Sequence, residues 1–174
     1  MWTFQPIGLI RTPFAEPEGL PIQGALRPDL EGRVELFPEF TDGLKDVEGF
    51  SHLILLYMFH KVSGYVLTAC PFLDDTPRGV FAIRGPRRPN PVGMTVVRLL
   101  RREANVLHIA GIDMVDGSPL LDIKPYIPSV DAHHNVRTGW IGEKMRNKGR
   151  TKRADGRFVR PESDQSDEAI DENS

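Results

Sequence analysis

The sequence predicts an all-β domain, and three observations carry that reading. Apolar stretches of strand length recur along the chain, the connections between them are short, and helical periodicity is scarce. The connections draw on 16 Gly and 15 Pro in 174 residues, residues that punctuate a chain into short elements. Six or seven strands joined in this way imply a barrel or a sandwich of about 130 residues. One domain is expected over residues 1–136, followed by a short charged tail over residues 137–174.

Each element follows from local pattern. Residues 4–12 alternate well enough for a strand that Pro13 ends, and residues 33–37 alternate cleanly with Val34 and Leu36 on one face. Residues 51–60 are nearly continuous apolar, the pattern of a strand buried on both faces. Residues 79–84 read as a short strand and 94–103 as a longer one. Residues 106–114 follow after Ala104-Asn105 as the hairpin partner. A last strand over 120–126 is stopped by Pro125 and Pro128. Brief helices are expected at 40–45 and 139–147.

Composition narrows the class. A hydrophobic share of 40% and a charged share of 26% are those of an ordinary soluble protein. Cys70 is the single cysteine, so no intrachain disulfide forms and no multi-cysteine zinc site exists. With no secretion signal and no apolar run of membrane length, a cytoplasmic location is expected. The net charge of −2 is unevenly spread. Residues 137–160 carry nine Lys and Arg against Glu143 and Asp155, an excess of +7, whereas residues 161–174 carry six acids and no base. Such a basic run suits a phosphate backbone or simply a solvated tail.

The segment from Gly79 to Met94 is the most informative. Pro86, Pro89 and Pro91 stiffen a turn that carries Arg84, Arg87, Arg88 and Asn90, and no acidic residue lies between Arg78 and Arg102. Guanidinium forks on a rigid frame suit the recognition of carboxylates and phosphates. Common enzyme signatures are missing: no Gly-x-Gly-x-x-Gly, no Walker-type loop, no Gly-x-Ser-x-Gly. His133-His134 are adjacent with no third ligand at metal-binding spacing, so no metal site is expected.

Several blocks occur in a fixed order: Ile7 to Pro13, Pro21-Ile22-Gln23, Gly49 to His52, Phe59-His60, the arginine–proline loop, and Gly111 to Pro128. Together they resemble the TrmO family (TsaA-like domain) over about residues 4–131. The resemblance implies a small single-domain β-barrel, a non-Rossmann methyltransferase that forms a homodimer. It implies S-adenosylmethionine as cofactor. The implied substrate is the exocyclic amine of N6-threonylcarbamoyladenosine at position 37 of tRNA. Carried over by motif, the cofactor contacts are Pro21, Ile22, Gln23, His60, Lys61, Arg84, Met94, Asp113, Met114, Val115 and Asp116. The family usually has Arg where this chain has Ile22, and bacterial members carry a long C-terminal domain where this chain has its short tail.

The chemistry of such a transfer adds further candidates. The acylated purine amine must lose a proton, so a general base within hydrogen-bond reach is called for, and Asp122, His60 and Tyr126 are the candidates. The cofactor's carboxylate suits Arg84 and its ammonium and ribose hydroxyls suit Asp113 or Asp116. Arg87, Arg88, Asn90 and Lys124 are the candidate RNA contacts, and Arg98, Arg101 and Arg102 extend the same basic character. Two other readings share these residues: a non-catalytic RNA-binding barrel, and a methyltransferase with a different acceptor.

Overall fold

The computed structural model describes residues 3–142, 144, 145, 153–155 and 158. Its centre is a closed antiparallel barrel of six strands. These are β1 (Gly8–Arg11), β2 (Glu31–Leu36), β3 (His52–Met58), β6 (Val92–Glu103), β7 (Val106–Ala110) and β8 (Ser118–Pro125), in the spatial order β1-β2-β7-β6-β3-β8. Pairing of β1 with β8, Gly8 opposite Leu120, closes the ring and leaves it no free edge. A separate ribbon of β4 (Thr68–Ala69) and β5 (Arg78–Gly79) stands outside it. Of the two architectures open to the sequence, the chain takes the barrel.

Alternation decides which side chains fill the interior. Ile10, Val34, Leu53, Val97, Leu107 and Leu120, one from each barrel strand, are fully buried, each contributing about 1.5–3 kcal/mol. In β3 only every second residue points inward: Leu53, Leu55 and Tyr57 are buried, while Ile54, Leu56 and Met58 lie half-covered on the outer face. The strand is therefore buried on one face, not on both as its apolar run implied. The β6–β7 hairpin turns at Ala104-Asn105, with Ala104 at φ 53°.

Three other expectations change. Residues 79–84 do not form a strand: after β5 the chain enters a 3-10 turn at Val80–Ala82. The Arg88 guanidinium donates to the carbonyls of Val80 (3.0 Å) and Ile83 (2.9 Å), and this side-chain clamp replaces ladder pairing. The helix expected at 40–45 is a 3-10 helix spanning Pro38–Leu44. The one expected at 139–147 begins as a 3-10 turn at Gly139–Ile141, and residues 143, 146 and 147 lie outside the described residues. A one-turn α-helix, Pro128–Asp131, follows β8 where the prolines indicated only a stop. No helix among the described residues is long and apolar enough to cross a membrane.

Candidate active site

The loop leaving β7 organises the site. Gly111, at φ +85°, turns the chain so that Ile112 and Met114 enter the core and Asp113 points between them toward loop 20–26. Gly24 approaches the Gly111 carbonyl so closely that a Cβ there would collide with it. The Asp113 carboxylate accepts from the Gly24 backbone N–H (2.7 Å), the Thr95 hydroxyl (2.6 Å) and the Tyr57 hydroxyl (3.4 Å). Burial pushes this carboxyl above its ordinary range, opposed by those three hydrogen bonds and by the Arg84 charge. Tyr57 is buried beside the carboxylate, and both effects raise its pKa, so it stays protonated and donates.

Against this knot lies a cleft built from parts distant in sequence. Pro17 to Gln23 form one side, and Tyr57 to Val62 at the end of β3 form another. Arg84 and Pro86 come from the arginine–proline loop, Met114 and Val115 from the loop after β7, and Ser118 from the start of β8. Arg84 donates to the Gln23 side-chain carbonyl at 2.6 Å, while the Gln23 amide donates to the Ile22 carbonyl at 2.7 Å. His60 sits with Nδ1 3.5 Å from the Ser118 hydroxyl, which itself donates to the Val115 carbonyl. Burial first, then the neighbouring Lys61 charge, hold the His60 imidazole below its usual pKa, against the opposite pull of the Met58 backbone and Asp116.

The structure brings most of the expected cofactor residues to this place. Pro21, Ile22, Gln23, His60, Lys61, Arg84, Asp113, Met114 and Val115 all line the cleft. Met94, 52% exposed on β6, lines an adjoining recess that shares Gln23, Tyr57, Phe59, Arg84 and Asp113 with it. Asp116 is turned elsewhere: it accepts from the Thr12 backbone N–H at 3.0 Å and lies 3.8 Å from the Arg11 guanidinium. Lys61 is tied to the Ala15 carbonyl and the Glu16 carboxylate.

Of the three base candidates only His60 lies in the cleft of its own chain. Asp122 is paired with Lys124 at 2.7 Å beside an apolar groove near Phe40 and Val47, and Tyr126 packs edge-on against His52. Among the candidate RNA contacts, Arg88 is engaged by its backbone clamp and sits over Phe81. Arg87 is half-buried, and Asn90 is exposed, its carbonyl accepting from the Val92 N–H. Arg98 is exposed on β6, whereas Arg101 and Arg102 are ion-paired to Glu103 and Glu48.

The sequence reading missed Leu20, Phe59, Phe72 and Ser118, and it missed Ala154, Asp155 and Phe158 from beyond residue 136. The first four carry no chemical signature in sequence. The last three lie in a run whose composition reads as solvated charge.

A closed β-barrel with a mixed apolar and polar cleft beside an arginine loop, and no Rossmann sheet, defines a small-ligand-binding barrel of the non-Rossmann kind. The sequence profile described as the tRNA-methyltransferase O N-terminal domain matches residues 9–132. The chain belongs to that family. A relative from Pyrococcus abyssi, named a probable S-adenosyl-L-methionine-binding protein, is 51% identical over 158 residues, 91% of this chain and 85% of its own. The human tRNA (adenine(37)-N6)-methyltransferase is 36% identical over 139 residues, 76% of this chain and 32% of its own. A crystal structure of TrmO from Pseudomonas aeruginosa superposes with a TM-score of 0.68 at 41% identity, covering 80% of this chain and 62% of that one. The chain thus spans about three-fifths of the solved TrmO chain and about a third of the human protein.

Proposed function

We propose that this chain is an S-adenosylmethionine-dependent tRNA methyltransferase that modifies the exocyclic amine of N6-threonylcarbamoyladenosine at position 37. The observation that carries the reading is the convergence of Gln23, His60 and Arg84 on one cleft, in a barrel whose relatives are named S-adenosyl-L-methionine-binding proteins and tRNA (adenine(37)-N6)-methyltransferases. The cleft fits a nucleoside sulfonium: Leu20, Pro21, Phe59 and Val115 give it apolar walls, and Arg84 is an exposed guanidinium able to take a carboxylate.

When bound, S-adenosylmethionine supplies an electrophilic methyl group on a charged sulfur. The protein's task is then alignment and proton removal, since little charge remains to be stabilised. Arg84, steadied by Gln23, holds the anionic end of the cofactor. His60, whose pKa is lowered by partial desolvation and by the Lys61 charge, offers a lone pair to the proton leaving the acceptor nitrogen. Arg87 and Asn90 on the stiff loop, with Lys124, are the residues assigned to tRNA phosphates and base edges, while Arg88 holds the loop's shape through its bonds to the Val80 and Ile83 carbonyls. The half-covered outer face of β3, with Val92 and Met94 exposed at 37% and 52% on adjacent β6, supports a homodimer. A cytoplasmic site of action accords with a tRNA substrate.

The test is methyl transfer from labelled S-adenosylmethionine to tRNA with and without threonylcarbamoyladenosine, followed by nucleoside mass analysis. Product on the modified tRNA alone supports reaction and substrate together. Transfer to unmodified tRNA points to a different acceptor, and tRNA binding without transfer to either points to a binding module. Light scattering completes the reading: a homodimer has twice the 19.6 kDa chain mass.

A further inference from the structure

Phe81 is the most exposed large apolar side chain of the arginine–proline loop, and the turn that carries it is built to hold it there. Around the 3-10 turn Val80–Ala82, Val80 is 2% exposed and Ile83 is 7% exposed, while Phe81 between them is 78% exposed. The Arg88 guanidinium that clamps this turn also lies 5.8 Å from the Phe81 ring centroid, so it backs one face of the ring and leaves the other open. The Trp140 indole N–H donates to the Ala82 carbonyl at 2.9 Å, which brings a second large ring to the same turn. The Arg78 guanidinium lies 5.4 Å from that ring, and Arg78 is itself paired with Asp74 at 2.7 Å. Lys144 joins the Asp74 carboxylate at 2.5 Å and ties the chain beyond Trp140 to the same region.

Both rings line an apolar recess of about 450 Å³, within the range of small-ligand sites. It shares Ile22, Gln23 and Arg84 with the cofactor cleft, so its occupant lies beside the cofactor. Among the described residues, Arg84 is its one charged lining group and none is acidic. A lone exposed aromatic is ordinary surface, but one that lines an apolar recess and is backed by an arginine is not. Enzymes that act on a nucleobase take it out of its stack, and single-stranded RNA loops are read by stacking on aromatic and guanidinium planes. Resting on the function proposed above, we propose that this recess receives an unstacked nucleobase of the RNA substrate. Phe81 supplies the stacking face, Trp140 and Ile22 supply the wall, and the arginines set a positive field for the phosphates on either side of the base. The Arg88 clamp and the Trp140 bond hold both rings in place beforehand, so little freedom is lost when the base docks.

The probe is an anticodon stem-loop RNA carrying threonylcarbamoyladenosine, titrated into the full chain and into Phe81→Ala, Phe81→Leu and Phe81→Tyr. The first two variants are each expected to raise the Kd for RNA roughly tenfold, within the range of one base–aromatic stack, and Phe81→Tyr is expected to keep wild-type affinity. Affinity for S-adenosylhomocysteine and the thermal midpoint should stay unchanged in all three, since the ring is exposed. A second readout follows Trp140 directly. With Trp2→Phe it becomes the single tryptophan of the chain, and its emission should be quenched by the stem-loop but not by a duplex RNA of the same composition. RNA affinity that is unchanged in Phe81→Ala, or kept in Phe81→Leu, overturns the inference, as does emission that ignores the stem-loop or answers the duplex equally. Weaker S-adenosylhomocysteine binding in Phe81→Ala also overturns it, by giving the recess to the cofactor. Each of these results, with wild type binding both RNA and S-adenosylhomocysteine, leaves the proposed function standing. A wild-type chain that fails to bind either one overturns both.

Discussion

Arg84 and Gln23, 61 residues apart in the chain, meet at 2.6 Å on the wall of the cleft, the guanidinium donating to the side-chain carbonyl. The Gln23 amide is fixed in turn by its own bond to the Ile22 carbonyl. The pair ties the proline-rich loop to the loop after β1, and it leaves an exposed guanidinium with further donors for a ligand.

Arg84→Gln is therefore expected to weaken S-adenosylhomocysteine binding by about tenfold, through loss of a charge-assisted contact. The thermal midpoint should hardly move, because the side chain is exposed and donates to another polar side chain. Calorimetric titration beside a thermal melt checks this. A large fall in midpoint with unchanged affinity would make Arg84 a structural tie and remove it from the ligand site.

Thr95→Val takes the shortest hydrogen bond from the Asp113 carboxylate and should cost about 1–3 kcal/mol of stability at neutral pH. Its pH dependence has a definite sign. Burial raises the Asp113 carboxyl in the folded state, so at pH values between its unfolded and folded pKa the native chain binds more proton than the unfolded chain does. Stability then declines as pH rises from the ordinary carboxylate range, about 3.9, toward the raised folded value. Removing a bond that lowers this pKa extends the decline to higher pH. Urea melts across pH 4–8 should show a steeper loss in Thr95→Val than in wild type, and Asp113→Asn should flatten the profile.

Much of the barrel was legible because its cause is local. Val34 and Leu36 alternate inward as their spacing indicates, and the β6–β7 hairpin turns where Ala104-Asn105 marks it. The Val80–Ala82 turn was not legible, since the clamp that bends it comes from Arg88, beyond the segment itself. The site was legible only in part for the same reason. Arg84 and His60 announce themselves by residue type, but nothing near Gln23 signals that Arg84 reaches it. Asp113 announces itself by residue type too, but its three donors are brought in by Gly24, Tyr57 and Thr95 from separate elements, which nothing near it in the chain signals. Phe158 was hidden by the basic and acidic residues around it, which dominate any compositional reading.

His60 should act in its neutral form, and its depressed pKa predicts where activity fails. Burial and the Lys61 charge lower it, so the acid limb of kcat/KM should lie below the usual imidazole value of about 6.5. Lys61→Met removes the second cause and should move that limb upward, while His60→Gln should lower kcat by about a hundredfold or more. The same shift acts on folding: because the folded pKa is depressed, the contribution is present above the unfolded value and is lost as pH falls through the folded one. Rates measured from pH 5 to 9 in both variants test the assignment. An acid limb that stays in place in Lys61→Met would show that another group sets it.

Gly93 offers a test of how tightly the core supports the site. A Cβ at this position would run into the Tyr57 ring. Tyr57 is 3% exposed, with its hydroxyl shared between Thr95 and Asp113. The ring has nowhere to move without giving up those bonds, so Gly93→Ala should cost about 1–3 kcal/mol from overpacking. Tyr57→Leu clears the space and gives up the hydroxyl, and on that background Gly93→Ala should be nearly neutral, a strongly non-additive pair. Gly79→Ala is the control, since a Cβ there meets no atom within 4 Å. Urea denaturation of the four variants closes the cycle. Additive losses would show that the ring adapts to the new methyl group, and that Tyr57 does not hold Asp113 against the barrel as rigidly as its burial implies.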